Sequence, residues 1–472
     1  MNVSLVYTFL FAGSIILINP WGSALNLVNT GRAEIWTHPK VFVVAAVTLV
    51  NFFQIAIRNH QRQDNTSDYS SHKVFAKLWV SYIAVAAIAT VLSPFPMHSL
   101  LGHSVLGDGL LYWLLVGAFS CSNAFLLTVR PDLFKPQLYG FLVGGSILAL
   151  SIFPQLVDWR IDYTAISGQI SKYDNQLLES GIWQMQMPIG LYSNRGYAAF
   201  VLASVSGLSL VSTLKQWVSR RLGVFCFCLM GLALVATQAR AGIVALLIGI
   251  TYWLITEYYR AGRVSHRQLQ QNKLLWIGLL AGAICAAYSI HSLLGGILSW
   301  EHSILTTLQD GSTGRFYLWS VAVKGILARP WIGWGFNGFG IAQLFVGDWD
   351  GRLSSYIPEG SSIAQILQIY ESTFAFLGPD GEIYTGSVLT HKAHNLILDL
   401  LLSTGLLGLV AYGALFSFGF WCLTKSKLCS LTTIAIVYLV FTQFWFESAQ
   451  YSHVFWWVLS LGIAIQGKKG HV

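Results

Sequence analysis

Apolar runs of about 16 to 24 residues recur along this chain, at 3–19, 40–57, 78–95, 108–127, 138–154, 195–213, 222–238, 241–257, 274–294, 394–423, 429–446 and 450–467. Each is long enough to cross a hydrocarbon core of roughly 30 Å as a helix. The pattern therefore predicts an all-α polytopic membrane protein with about twelve transmembrane helices. The run at 394–423 exceeds one crossing and is expected to begin as a helix outside the membrane. The first run lacks a basic leader and an A-x-A-like cleavage site, so it is expected to be a retained helix.

Two polar interruptions are long, 155–193 and 295–393. The second divides the chain into a bundle of spans one to nine (1–294), a large extracytoplasmic loop (295–393), and spans ten to twelve (394–472). Within that loop, residues 313–328 put Phe316, Trp319, Val323, Ile326 and Leu327 on one helical stripe, with Arg315 at its border and Lys324 opposite. That spacing predicts an amphipathic helix lying on the membrane surface or the bundle. Pro330 stops it, and the Gly-rich turn from Gly333 to Gly338 follows. A further helix is expected from Ser361 to Phe374. Five tryptophans in the loop (Trp300, Trp319, Trp331, Trp334, Trp349) favour a folded cap at the interface.

Composition agrees: 54% of residues are hydrophobic and only 10% charged, too few for a soluble core. Charge adds an orientation. The segments 58–77, 128–137, 214–221, 257–273, 424–428 and 468–472 alternate with the other loops. They carry 17 of the 28 Lys and Arg but only Asp64, Asp68, Asp132 and Glu257 among the acids. By the positive-inside rule both termini face the cytoplasm and the large loop faces outward. The net charge of +8 is then an inside-facing excess, and nucleic-acid binding is not needed to explain it. The six cysteines sit in spans or at their cytoplasmic ends, so no disulfide framework is expected outside. Cys226 and Cys228 read as membrane packing.

The outward side collects three arginines. Arg195 opens the sixth span, Arg240 occupies the tight turn between the seventh and eighth, and Arg315 opens the amphipathic helix. A guanidinium at membrane depth is costly unless paired or facing a polar cavity. The plain alternative is snorkelling to headgroups or pairing with an outer carboxylate. Several guanidinium groups on one cavity would suit a diphosphate, whose oxygens they bind in pairs. His394 starts the tenth span, and an imidazole titrates near neutrality, as a base must. As an alternative, it serves as an interfacial hydrogen-bonding residue. His391 is three residues earlier, so the two would share one helical face. No third or fourth metal ligand follows at a convincing spacing, and neither a metal nor a cofactor is expected. Asp399, about one turn further on, would orient a histidine or bridge to another helix. Glu447, Tyr451 and His453 are placed to reach the same cavity. No nucleotide, serine-hydrolase or dinucleotide motif is present.

Three strings resemble the O-antigen ligase and O-antigen polymerase superfamily of bacterial envelope glycosyltransferases. Gly314-Arg315-x3-Trp319 followed by Pro330-x2-Gly333-x-Gly335-x2-Gly338 is similar to the family's R-x3-W…P-x2-G-x-G signature. His394-Asn395-x2-Leu398 leading to Gly405-Leu406-Leu407-Gly408 is similar to its H-N-x2-L…G-x2-G signature. Gln238-Ala239-Arg240-Ala241-Gly242 resembles its short S-R-[GA] turn, with alanine where serine is usual. The resemblance implies a GT-C-like bundle in the bacterial inner membrane and a metal-independent transferase. The donor would be a polyprenyl-diphosphate-linked glycan and the acceptor a glycan or lipid-linked hydroxyl. It assigns Arg240 and Arg315 to the diphosphate leaving group and His394 to the acceptor proton. Arg195, Asn395, Trp319 and His391 are expected to line the substrate site.

The shared strings leave ligase, polymerase and protein O-oligosaccharyltransferase open. Twelve spans with both ends inside also suit a transporter of a small anion or lipid-linked sugar, though no paired halves are visible. An assembly factor with a partner-binding cap is a third reading.

Overall fold

The computed structural model describes residues 2–19, 36–61, 69–156, 160–161, 178–179, 188–260, 315–347, 355, 357–358, 362–370 and 373–466. A helix stands at every expected span except the ninth, 274–294, which lies outside the described residues. In chain order these are α1 (Val3–Ile16), α2 (Thr37–Gln61), α3 (Ser70–Val91), α5 (Leu110–Val129), α6 (Phe134–Gln155), α7 (Arg195–Leu214), α8 (Arg220–Ala236), α9 (Arg240–Arg260), α12 (Leu396–Lys425), α13 (Thr432–Phe444) and α14 (Ser452–Gln466). A short α4 (Pro96–Leu101) joins α3 to α5. Seven of these helices, α2, α3, α5, α6 with the turn before it, α7, α9 and α12, are long and apolar enough to cross a bilayer. The chain is mostly helical and has the build of a multi-pass membrane protein.

The centre of the bundle is α7 and α14, buried nearly all round, while α2, α3 and α12 expose apolar side chains on one flank. A polar thread crosses the centre. Trp457 donates to the Gln137 amide oxygen (2.7 Å), Gln137 donates to Asn123 (2.8 Å), and Asn123 donates to Ser460 (2.8 Å). Such bonds join helices that the hydrophobic effect cannot hold together in lipid. Small residues act alongside them. A side chain on Gly140 or Gly144 would fall within 3 Å of the α1 backbone or Phe11, so these glycines let α1 and α6 close up.

The large loop supplies α10 (Arg315–Ala328) and α11 (Gly338–Val346). Helix α10 stands where it was expected, but its inward face is Val321, Ala322 and Gly325. Phe316, Val323 and Leu327, on the stripe expected to face the membrane surface or the bundle, are exposed at 46%, 48% and 74% and so do not face the bundle. Both faces are apolar, and the smaller residues win the close approach to α12.

The first long loop holds the short pair β1 (Arg160–Ile161) and β2 (Leu178–Glu179). Among the described residues of 361–374 no helix forms, and an antiparallel sheet stands there instead, with order β3 (Gln365–Ile369), β4 (Thr373–Leu377), β5 (Ile383–Ser387). The spacing of Ile363, Ile366 and Ile369 imitates a helical face. A bulge between Ile366 and Gln368 shifts the register, so that Ile366 and Ile369 both turn inward, against Phe374 and Phe376. Gly378-Pro379-Asp380-Gly381, with Gly381 at φ 82°, makes the β4–β5 hairpin.

Helix α12 is broken at Gly405 (φ 64°, ψ −167°), which answers the excess length of its run. The turn after Pro330 fits into the break. Trp334 N–H donates to the Leu402 carbonyl (2.7 Å) and Gly335 N–H to that of Ser403 (3.0 Å). In return, Leu406 N–H donates to the Pro330 carbonyl (2.8 Å) and Leu407 N–H to that of Trp331 (3.2 Å). A Cβ on Gly405 would lie on the Trp331 backbone, and one on Gly333 (φ 77°) would lie 2.6 Å from the Leu402 carbonyl oxygen. Gly405→Ala is therefore expected to destabilise the protein by about 2 kcal/mol or more. Gly413→Ala, in the same helix with open space around it, should leave stability unchanged or raised. Thermal unfolding of the two variants in detergent checks the contrast.

Candidate functional site

Each of the three arginines is the first residue of a helix: Arg195 of α7, Arg240 of α9 and Arg315 of α10. Asn194 caps α7 through the Gly196 N–H (2.8 Å), and Gln238, with φ 52°, turns the chain into α9. A cation at a helix N-terminus meets the positive end of the dipole, which is locally unfavourable and favours a bound anion. Arg195 Nη1 and Arg315 Nε are both buried, with no hydrogen-bond partner among the described residues. Arg240 is exposed and close enough for its charge to act on Arg195. Burial also holds the Arg315 guanidinium below its ordinary pKa.

Trp445, in the loop between α13 and α14, brings these groups together. The Arg315 guanidinium lies 6.0 Å from the centre of its ring, at the limit of a cation–π contact. His394 meets the same ring edge-on at 5.2 Å, and Phe446 at 4.8 Å. Gly196, next to Arg195, packs so closely that a Cβ there would be 2.7 Å from the indole. One aromatic ring thus touches the residues that carry Arg315, His394 and, through Gly196, Arg195.

His394 lies on a non-helical strap, 391–395, before α12. Its backbone is left-handed (φ 57°), rare for a residue with a side chain. Its Nδ1 is 3.2 Å from the Lys392 carbonyl oxygen. A carbonyl only accepts, so Nδ1 carries the proton and Nε2 keeps its lone pair. Burial pushes the imidazole down to about 4; the bond to the Lys392 carbonyl pulls part of the way back, and the Arg315 charge adds a smaller downward push. The ring is therefore neutral across the physiological range, in the tautomer a proton acceptor needs.

The structure brings Arg315 and His394 to one ring, with the Gly196 backbone against it, and sets Arg240 near Arg195. Trp319 anchors the strap by donating its indole N–H to the Ala393 carbonyl (3.0 Å). Asn395 caps α12, accepting from Ile397 and Leu398 N–H (3.0 and 3.2 Å), and donates to the Gln443 carbonyl (3.2 Å). His391 and His394 do not share a helical face, because the helix begins only at Leu396. His391 turns the other way, to Asn337 (3.1 Å) and to the His103 ring (4.2 Å between centres). Asp399 accepts from Ala393 N–H (2.8 Å) and so orients the strap rather than the imidazole itself. Glu447 lines a cavity of about 30 Å³ behind the strap with Asp108, Lys392 and Asp399, and burial raises its carboxyl to about 7. Tyr451 packs among Tyr197, Phe200 and Phe441, and His453 bonds Ser14 (3.1 Å); both belong to the bundle core. Trp445 and Phe446 were not expected at the site. The only signal was an aromatic pair in the turn before Glu447. In the protein without ligand, the His394 resonance in histidine-labelled spectra is expected to titrate near pH 4. It stays neutral above that and charges only as pH falls through it. Arg315→Gln removes a like charge and should raise the midpoint.

No curated protein matches the chain. Residues 225–413 match the family model described as O-antigen ligase, a stretch that holds Arg240, Arg315, Trp319, His391, His394, Asn395 and both halves of the glycine joint. Over that stretch, two fifths of its length, the chain is similar to the O-antigen ligase family.

Proposed function

We propose that the protein transfers a glycan, on the outer face of the membrane, from a polyprenyl diphosphate to an acceptor hydroxyl in the assembly of a surface polysaccharide. The family match supports glycosyl transfer of the ligase or polymerase type. The observation that carries the finer reading is the meeting of Arg315 and a neutral, tautomer-fixed His394 around one indole ring, against which Gly196, the residue after Arg195, also packs. In this reading the inner (plasma) membrane holds the bundle, both termini are cytoplasmic, and the 315–395 end faces outward.

The chemistry follows from the groups. The His394 Nε2 lone pair takes the proton from the acceptor hydroxyl as its oxygen bonds to the anomeric carbon. The bond from that carbon to the diphosphate oxygen breaks, and its electron pair leaves with the polyprenyl diphosphate. Charge grows on the leaving oxygen, where buried guanidinium groups need no reorganisation to meet it. The bound diphosphate also offsets the Arg315 charge that depresses His394. Donor binding therefore raises the pKa of the base toward the range where it works best.

Two variants test this with purified protein in nanodiscs, a lipid-diphosphate-linked oligosaccharide, and acceptors that include a second donor molecule. His394→Ala should lower transfer by about a hundredfold or more, with donor affinity kept. Loss of donor binding as well would remove the case for a base. Arg315→Lys retains charge but loses the planar fork, and a drop on the order of a hundredfold is expected. Turnover near that of the parent would rule out the two-point clamp. Stepwise lengthening of the product indicates a polymerase, and a single glycan moved to a different acceptor indicates a ligase.

A further inference from the structure

Lys392 and Asp108 form an ion pair in which both residues are almost fully buried, at 7% and 5% exposure. Asp108 stands before α5, far from the strap in sequence and outside the stretch that matches the family. Around the same ammonium stand Asp399 and Glu447, and together the four line the small cavity behind His394. A buried pair of this kind contributes little net stability, since desolvation of both charges offsets their attraction. Its geometric effect is better defined, because a strained backbone persists only where its surroundings over-determine it.

Every residue beside His394 is held. The Lys392 ammonium is held by Asp108, and its carbonyl faces the His394 imidazole. Ala393 is fully buried, its N–H bound by Asp399 and its carbonyl by Trp319. Asn395 is fixed as the cap of α12. Within this frame His394 adopts its left-handed turn. We propose that Asp108 and Lys392 are positioning residues, whose buried ion pair fixes the strap so that His394 presents Nε2 to the arginine-lined site. The proposal rests on the reading of His394 as the base.

The test uses the full chain in nanodiscs and three readouts. The first is the rate at which diethyl pyrocarbonate modifies His394, located by peptide mass spectrometry. The second is binding of undecaprenyl diphosphate, and the third is kcat and KM for transfer from a lipid-linked oligosaccharide. Asp108→Asn should speed modification of His394 several-fold and lower kcat by about a hundredfold, as a displacement near 1 Å does, with diphosphate binding and KM unchanged. The exchanged pair, Asp108→Lys with Lys392→Asp, should recover a large part of both. Asp108→Asn with His394 modification and kcat as in the parent would overturn the proposal, as would loss of diphosphate binding in step with kcat. If the parent transfers nothing, the reaction reading fails, and the modification rates still decide the positioning role. Should Asp108→Asn fail to give monodisperse protein, Trp319→Phe, which frees the Ala393 carbonyl without removing a charge, carries the same expectations and the same overturning result.

Discussion

A broken helix in a membrane leaves backbone groups that water does not satisfy, and this site depends on how one such break is closed. At Gly405 the interruption in α12 frees two carbonyls and two N–H groups, and the Pro330–Gly335 turn returns two N–H groups and two carbonyls to them. The exchange is reciprocal and leaves room for no side chain on Gly405 or Gly333. It makes α10 and α12 one rigid corner. Arg315 begins one arm of that corner, and His394 stands just before the other. The two glycine-containing strings, more than sixty positions apart in sequence, are therefore the two halves of one joint. Their joint effect is to set a guanidinium and an imidazole around the same indole.

Electrostatics follows from that placement. Three guanidinium groups at helix N-termini oppose the dipoles at their own ends, at about 0.3–1 kcal/mol each, and buried N–H donors of two of them lack partners. In the proposed reading a bound diphosphate is the anion that offsets these costs. The depressed pKa of His394 belongs to the same field. In the proposed reaction one event, diphosphate binding, both fills the cationic site and restores basicity to the imidazole.

Most of the helices were legible because length and apolarity alone decide what crosses a bilayer. The arginines and His394 were legible because polar groups at the ends of apolar runs are few. What failed did so for identifiable reasons. Ile363, Ile366 and Ile369 repeat at helical spacing, and only a bulge in β3 reconciles that spacing with a strand. His391 and His394 are three apart, but helix α12 begins only at Leu396, so the helical period does not apply to them. Trp445 looked like any interfacial tryptophan, and its role rests on contacts with three segments distant in sequence.

The division between matched and unmatched residues has a physical sense. The stretch that carries the family match contains the joint, Arg240, Arg315 and His394, while Arg195, Trp445 and Asp108 lie outside it. The loop 445–451 reaches nearly every part of the site. Trp445 contacts Arg315, His394 and Gly196. Gln450 binds Ser193, two residues before Arg195, through its backbone and its hydroxyl (3.2 and 2.7 Å). Ala449 N–H binds the Leu106 carbonyl (2.8 Å), two residues before Asp108. A reacting group within the matched stretch is thus oriented by side chains from both ends of the chain. Transfer of Arg315 and His394 to another bundle would not reproduce the site unless an aromatic ring and a buried counter-charge came with them. Geometry held by packing across the whole bundle, and not the presence of two motifs, is what sets a guanidinium and an imidazole around the same ring.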